Sequence, residues 1–169
     1  MIKCAAMMGL IADLLLIGGT AQAEDKEPSA LVEIGSAGAW GLRDGSQSFG
    51  PTVSLEVTPL KEWLEIEAGV TSLFGGGHTE WNTDLVFKKP FTLSHTVEVE
   101  FGVGPEWMHT TGGGKTADSL GGEAVLEFQF WPWPERNFGW YLEPSYGHDF
   151  GSGRGQSLGV TVGLLIAIP

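Results

Sequence analysis

Residues 98–103 read Glu98-Val99-Glu100-Phe101-Gly102-Val103, and residues 65–70 carry the same pattern as Glu65-Ile66-Glu67-Ala68-Gly69-Val70. Apolar residues alternate with acidic or small ones. A period of two belongs to a β-strand, whose successive side chains point to opposite faces. One face of each stretch is greasy and the other is acidic.

The same alternation extends in both directions. It predicts eight strands, at about 31–42, 51–58, 63–74, 78–87, 96–108, 122–130, 138–150 and 157–168, each bounded by turn residues. Glu33, Glu56, Glu65, Glu67, Glu80, Asp84, Glu98, Glu100, Glu106, Glu123, Glu127 and Glu143 all fall on the face opposite the apolar one. On these boundaries every Lys and Arg falls in a connection. The connections differ in kind. Pro59-Leu60-Lys61, Lys88-Lys89-Pro90 and Pro132-Trp133-Pro134 alternate with Asp44-Gly45-Ser46, Gly75-Gly76-Gly77, Gly112-Gly113-Gly114-Lys115 and Gly151-Ser152-Gly153-Arg154. In an up-and-down meander, alternate connections share an end, so the barrel has a Pro-rich end and a Gly-rich end. Gly112–Lys115 lacks the spacing and the following helix of a phosphate loop and reads as a flexible loop. Pro105 and Pro144 lie inside strands, where each removes a ladder donor and is expected to mark a bulge or a strand end.

Met1 to Ala23 has Lys3, an apolar stretch, and Ala21-Gln22-Ala23 before Glu24. This is the pattern of a removable secretory signal. It leaves 24–169 as one domain. The only cysteine, Cys4, lies in that segment, so the exported chain would form neither a disulfide nor a thiolate metal site. The net charge of −12 argues against nucleic acid as a partner, because such binding needs basic patches. With 26 glycines, seven Trp and nine Phe, and only 18% charged residues, the composition suits a β-protein with tight bends.

Two architectures share this alternation. In one, the apolar face meets lipid and the carboxylates line a narrow lumen. In the other, a soluble periplasmic, lipocalin-like barrel turns its apolar face inward around an apolar ligand. The soluble form would leave the carboxylates solvated, where a lumen would crowd them together without Lys or Arg strand partners. Three features favour the membrane form. Gly35, Gly69, Gly102, Gly104, Gly159 and Gly163 on the acidic face suit a narrow interior. Trp40, Trp81 and Trp107 gather toward the Gly-rich end, and Trp63, Phe87, Phe91, Trp131 and Trp133 toward the Pro-rich end, like two interfacial girdles. The run lengths match tilted strands crossing a bilayer, and only a closed sheet can do so.

Signal sequence, eight alternating strands, short turns at one end and longer loops at the other resemble the small outer-membrane β-barrel superfamily, whose members include the OmpA transmembrane domain and the OmpX barrel. The resemblance implies an all-β, eight-stranded, antiparallel, up-and-down transmembrane β-barrel in a Gram-negative outer membrane. It implies a porin-like, non-catalytic monomer without a cofactor, serving envelope structure, surface interaction or limited passage of small cations. Its implied partners are outer-membrane lipid, lipopolysaccharide and the outer-membrane insertion machinery. The chain departs from the pattern in ending Ile168-Pro169, where such barrels carry an aromatic residue read by that machinery. Trp40, Trp81, Trp107, Trp140, Phe87 and Trp131 are expected in the lipid-facing girdle.

Glu33, Glu56, Glu65, Glu67, Glu98, Glu100 and Glu127 would share the half of the lumen nearer the Pro-rich turns. Clustered carboxylates bind hard cations or share protons. His78, His109 and His148 fall near the Gly-rich rim, where they form a weaker set for Zn²⁺ or Cu²⁺. Some barrels of this size are lipid A deacylases or acyltransferases. Such an enzyme needs a Ser/His/acid set near the outer rim; His148, Asp149 and Ser152 lie close in sequence, in or beside a Gly-rich loop, but in no arrangement that resembles those enzymes' motifs. Arg43, Lys115 and Arg154 in the Gly-rich loops are placed to meet lipopolysaccharide phosphates. Lys61, Lys88, Lys89 and Arg136 at the Pro-rich turns are placed to meet anionic inner-leaflet headgroups.

Overall fold

The computed structural model describes residues 28–151 and 155–168. Residues 1–23, where a signal is expected, and Ser152, Arg154 and Pro169 lie outside the described residues. Eight strands run in sequence: β1 (Ala30–Gly41), β2 (Gln47–Leu60), β3 (Leu64–Gly75), β4 (His78–Ser94), β5 (Val97–Gly112), β6 (Lys115–Phe130), β7 (Phe138–Asp149) and β8 (Gln156–Ile168). Each pairs antiparallel with its sequence neighbours, and β8 closes on β1 from Ala30↔Ile168 to Gly41↔Ser157. The sheet is a closed barrel with no free edge, and every strand is 12 to 17 residues long.

The faces resolve in favour of the membrane form. Ile34, Leu55, Val70, Phe101, Leu126, Leu142 and Leu164 are all exposed on the outside, as are Trp40, Trp81, Phe87, Trp107 and Trp140. The inward parity carries the carboxylates. This overturns the soluble alternative, because the apolar residues it needs as pocket walls point away from the interior.

Several details differ from the sequence reading. β2, β4, β5 and β6 run longer than the alternation indicated, and β4 continues through Lys88-Lys89-Pro90 to Ser94 and turns at His95-Thr96. Lys88 is therefore a strand residue, paired with Glu65 on β3 and Gly102 on β5, and it points into the barrel. Two of the Gly-rich connections are not long loops. Gly76-Gly77 and Gly113-Gly114 are two-residue hairpin turns with φ between 57° and 79°, a region glycine enters at little cost. Lys115 pairs with Gly112 across the second of them.

Pro105 and Pro144 mark neither bulges nor strand ends. Pro51, Pro105 and Pro144 each pair on one side, with Ser36, Gly122 and Val160. On the other side each falls in a gap of two ladder pairs, and the register resumes unshifted. A proline can do this because its missing N–H affects only one ladder. The register shifts themselves lie at Val57/Leu60 and Thr92/Ser94.

Candidate functional site in the barrel lumen

The lumen has two halves of different construction. In the half toward the Pro-rich end, like charges face each other across strands: Glu56 opposite Glu67, and Glu100 opposite Glu127. Such pairs destabilise a sheet unless a cation intervenes. Lys88 is that cation. Its ammonium lies against Glu67 and Glu127, 3.1 Å from Glu56 and 3.7 Å from both Glu100 and Glu143. The side chains of Lys88, Glu56, Glu100 and Glu127 are all fully buried. Gly102 makes room for the lysine stem, since a Cβ there would lie 2.8 Å from Lys88 Cγ and 2.6 Å from Val86 Cγ1.

Below this cluster the barrel end is closed. Gln129 donates to Glu100 Oε1 at 2.7 Å, and Trp131 Nε1 donates to Gln129 Oε1 at 3.2 Å. Trp131 is only 1% exposed and packs with Leu31, Tyr141 and Leu165. It is thus an inward plug residue and not part of the lipid-facing girdle. Its parity explains this, because it continues the inward series of Glu127 and Gln129. Arg136, from the connection between β6 and β7, is also buried. Its Nη1 donates to Glu98 Oε2 at 2.7 Å, and its guanidinium lies 5.9 Å from the Trp131 ring. Buried in this way, neither Arg136 nor Lys88 is available to lipid headgroups. Glu98 also accepts from Thr92, and Glu65 accepts from Thr58. Glu98 belongs to the end of the barrel, whereas Glu65 joins that end to the central cluster, with an oxygen within 4.8 Å of Glu56 and Glu100.

The half toward the Gly-rich end is open. Above Lys88 lies a cavity of about 90 Å³ lined by Glu33, Glu67, Asp84, Glu106, Glu123 and Glu143, together with hydroxyl groups and the Asn82 amide. Leu73, Asn82 and Glu106 also line a wider mouth of about 330 Å³ at the rim. Among the described residues, no Lys or Arg lines the cavity; Arg43 stands at the mouth. In the rim loop after β1, the Asp44 carboxylate accepts the Ser46 backbone N–H at 3.0 Å, which holds it below the ordinary carboxylate range.

The sequence candidates therefore divide. Glu33, Glu56, Glu67 and Glu127 each offer an oxygen within 4.8 Å of the others, and Glu56, Glu65 and Glu100 form a second such group. The histidines do not gather. His78 and His148 line the mouth, whereas His109 lies beside the Trp107 ring with its Nδ1 2.7 Å from Asp118. Among the described residues, none of the three joins a metal-spaced group. Asp149 accepts the Gly151 N–H at 2.7 Å, a turn-capping role. Sequence reasoning missed Lys88 and Arg136 as lumen residues. Lys88 had a signal, since Glu80, Asn82, Asp84, Val86 and Lys88 follow one another at steps of two.

No protein-family model and no curated protein matches the sequence. Solved structures do match its fold. Neisserial surface protein A (NspA) superposes with a TM-score of 0.71 at 14% identity, covering 83% of this chain and 97% of that one. Ail, the attachment invasion locus protein of Yersinia pestis, gives 0.59 at 14% identity, with 84% and 99% covered. The outer-membrane protein OprG from Pseudomonas aeruginosa gives 0.61 at 10% identity, with 83% and 96% covered. The fold is that of the small eight-stranded outer-membrane β-barrels.

Proposed function

We propose that this chain is an integral protein of a Gram-negative outer membrane, exported by a signal at 1–23. In this reading it is a non-catalytic, monomeric barrel whose acidic lumen opens outward and is sealed toward the periplasm. The observation that carries the reading is the continuous apolar exterior of a closed barrel. Isolated in water, such a surface would associate; in a bilayer it is matched. Both termini of the sheet, Ala30 and Ile168, lie at the Pro-rich end. We place that end in the periplasm, with the Gly-rich hairpins outside.

The seal favours envelope structure and surface interaction over passage of ions. A moving ion would have to displace Trp131, Tyr141, Leu31 and Leu165, then pass the Arg136–Glu98 pair. At the rim, Arg43 and Lys115 are positioned to meet lipopolysaccharide phosphates. Assembly would use the outer-membrane insertion machinery.

The deciding experiment is fluorescence of single-tryptophan variants in vesicles with brominated acyl chains. Trp40, Trp81, Trp107 and Trp140 should be quenched strongly and Trp131 hardly at all. A protein that stays soluble without detergent and shows no quenching at Trp81 or Trp107 refutes the membrane reading. In planar bilayers the wild-type barrel should give no current steps, and a steady stepwise conductance refutes the seal.

A further inference from the structure

We propose that the cavity above Lys88 binds one hard divalent cation, Ca²⁺ or Mg²⁺, through Glu33 and Glu67 on its floor and the Asp84, Glu123 and Glu143 carboxylates on its walls. The proposal rests on the lumen geometry and holds in micelles as well as in a membrane, so its failure would leave the membrane reading standing.

Charge is the first argument. Lys88 is a single ammonium, and it is turned toward Glu56, Glu67, Glu100, Glu127 and Glu143. The cavity adds Glu33, Asp84, Glu106 and Glu123, with no further Lys or Arg among its described lining residues. Excess negative charge held away from bulk water is costly unless something compensates it.

Unmet hydrogen-bonding capacity is the second argument, and it is independent of charge. Glu33 is 1% exposed and lines the cavity. Its Oε2 accepts from Ser54 at 2.9 Å, but its Oε1 has no partner. Glu123 Oε1 and Asn82 Oδ1, lining the same space, also have none. Oxygens left this way are what a cation would satisfy. The spacing on the floor is compatible with one ion: Glu33 and Glu67 stand at the edge of the Lys88 shell, in a group with Glu56 and Glu127 whose oxygens lie within 4.8 Å of one another. That is about twice a Ca²⁺–oxygen bond.

The donor set selects the ion. Carboxylates, hydroxyls and an amide oxygen line the cavity, with no His, Cys or Met among the described lining residues. Such a set prefers Ca²⁺ or Mg²⁺ to Zn²⁺ or Cu²⁺. The volume of about 90 Å³ leaves room for the ion and retained waters. The approach is through the mouth at the Gly-rich end, past Leu73 and Glu106.

The test is calorimetric titration of the folded, chelator-washed barrel in a non-ionic detergent, with CaCl₂ and MgCl₂ at constant ionic strength. Thermal unfolding is followed in parallel. The expected result is saturable binding of one ion per barrel and a raised Tm. Glu33→Gln, which keeps an acceptor for Ser54, should weaken binding about tenfold or more. Asp118→Asn, at the outer rim, should leave it unchanged. Glu143→Gln supplies the same test should Glu33→Gln fail to fold. Absence of saturable heat and of any Tm change at millimolar cation overturns the proposal. Undiminished binding to the folded lumen variants also overturns it, because the ion would then sit elsewhere.

Discussion

The two halves of the lumen are built from the same carboxylate side chains at the same strand parity, yet they are different materials. Around Lys88, the Glu56, Glu100 and Glu127 carboxylates are packed, dry and within reach of one ammonium, while Glu67 and Glu143 reach it from the cavity lining. Above it, the carboxylates stand around a cavity continuous with the mouth. The difference comes from what accompanies the acids: Lys88, Gln129, Trp131 and Arg136 below, and small or hydroxyl-bearing residues such as Gly159, Thr161 and Ser145 above. A barrel interior is thus acidic without being uniform. The cation decides where it is solid.

Removing that cation should have the largest effect. Lys88→Met leaves Glu56, Glu67, Glu100 and Glu127 buried without a positive partner. We expect a loss of at least about 3–5 kcal/mol, read as urea-induced unfolding in vesicles, or failure to insert. A Lys88→Met barrel as stable as the wild type would erase the contrast between the halves. Next in size is Arg136→Ala, which leaves Glu98 facing Thr92 alone and loosens Trp131. The expected loss is about 2–3 kcal/mol, with cation-selective current steps absent from the wild type. Gly102→Ala should follow at about 1–3 kcal/mol, because its Cβ would press on Val86 Cγ1, Val125 Cγ2 and the Lys88 stem. Equal losses for Gly102→Ala and for alanine at Gly38, whose nearest neighbour is the edge of the Trp40 ring at 3.4 Å, would mean that the lysine channel is not tightly packed.

The strand number, the parity of each face and the closed architecture were legible because a period of two is imposed on every residue of a strand with two unlike environments. Glu98-Val99-Glu100-Phe101 could not be read any other way. What stayed hidden was hidden for local reasons. Lys88-Lys89-Pro90 looks like a turn because proline usually ends a strand, but Pro90 simply pairs opposite Glu100 and the strand goes on. Trp131 looked like a girdle residue by chemistry, whereas its parity put it inside. Arg136 gave no periodic signal, since it sits in a connection and reaches the lumen only through a backbone with φ of 47°. The His78, His109 and His148 set failed as a group because three residues near one rim by sequence do not share a face.

The smallest effects should come from changing single carboxylates to amides, and the sign of the contrast is informative. Lys88 is alone and its partners are several, so the cluster tolerates loss of a partner far better than loss of the lysine. In Glu127→Gln the amide oxygen still accepts from Lys88, and the repulsion from Glu100 across the strand pair is relieved. The expected cost is at most about 1 kcal/mol. Glu106→Gln, at the wet junction of cavity and mouth, should fall within about 0.5 kcal/mol of the wild type. Salt separates them further. Raising ionic strength should reduce the Glu106→Gln effect, since a half-buried charge facing the mouth is partly screened, while leaving the Glu127→Gln effect nearly constant in its dry surroundings. The double variant Lys88→Met/Glu127→Gln should be more stable than Lys88→Met alone, because one uncompensated buried charge has gone. If it is less stable, the carboxylates are held by something other than the lysine, and the division of the lumen must be drawn elsewhere.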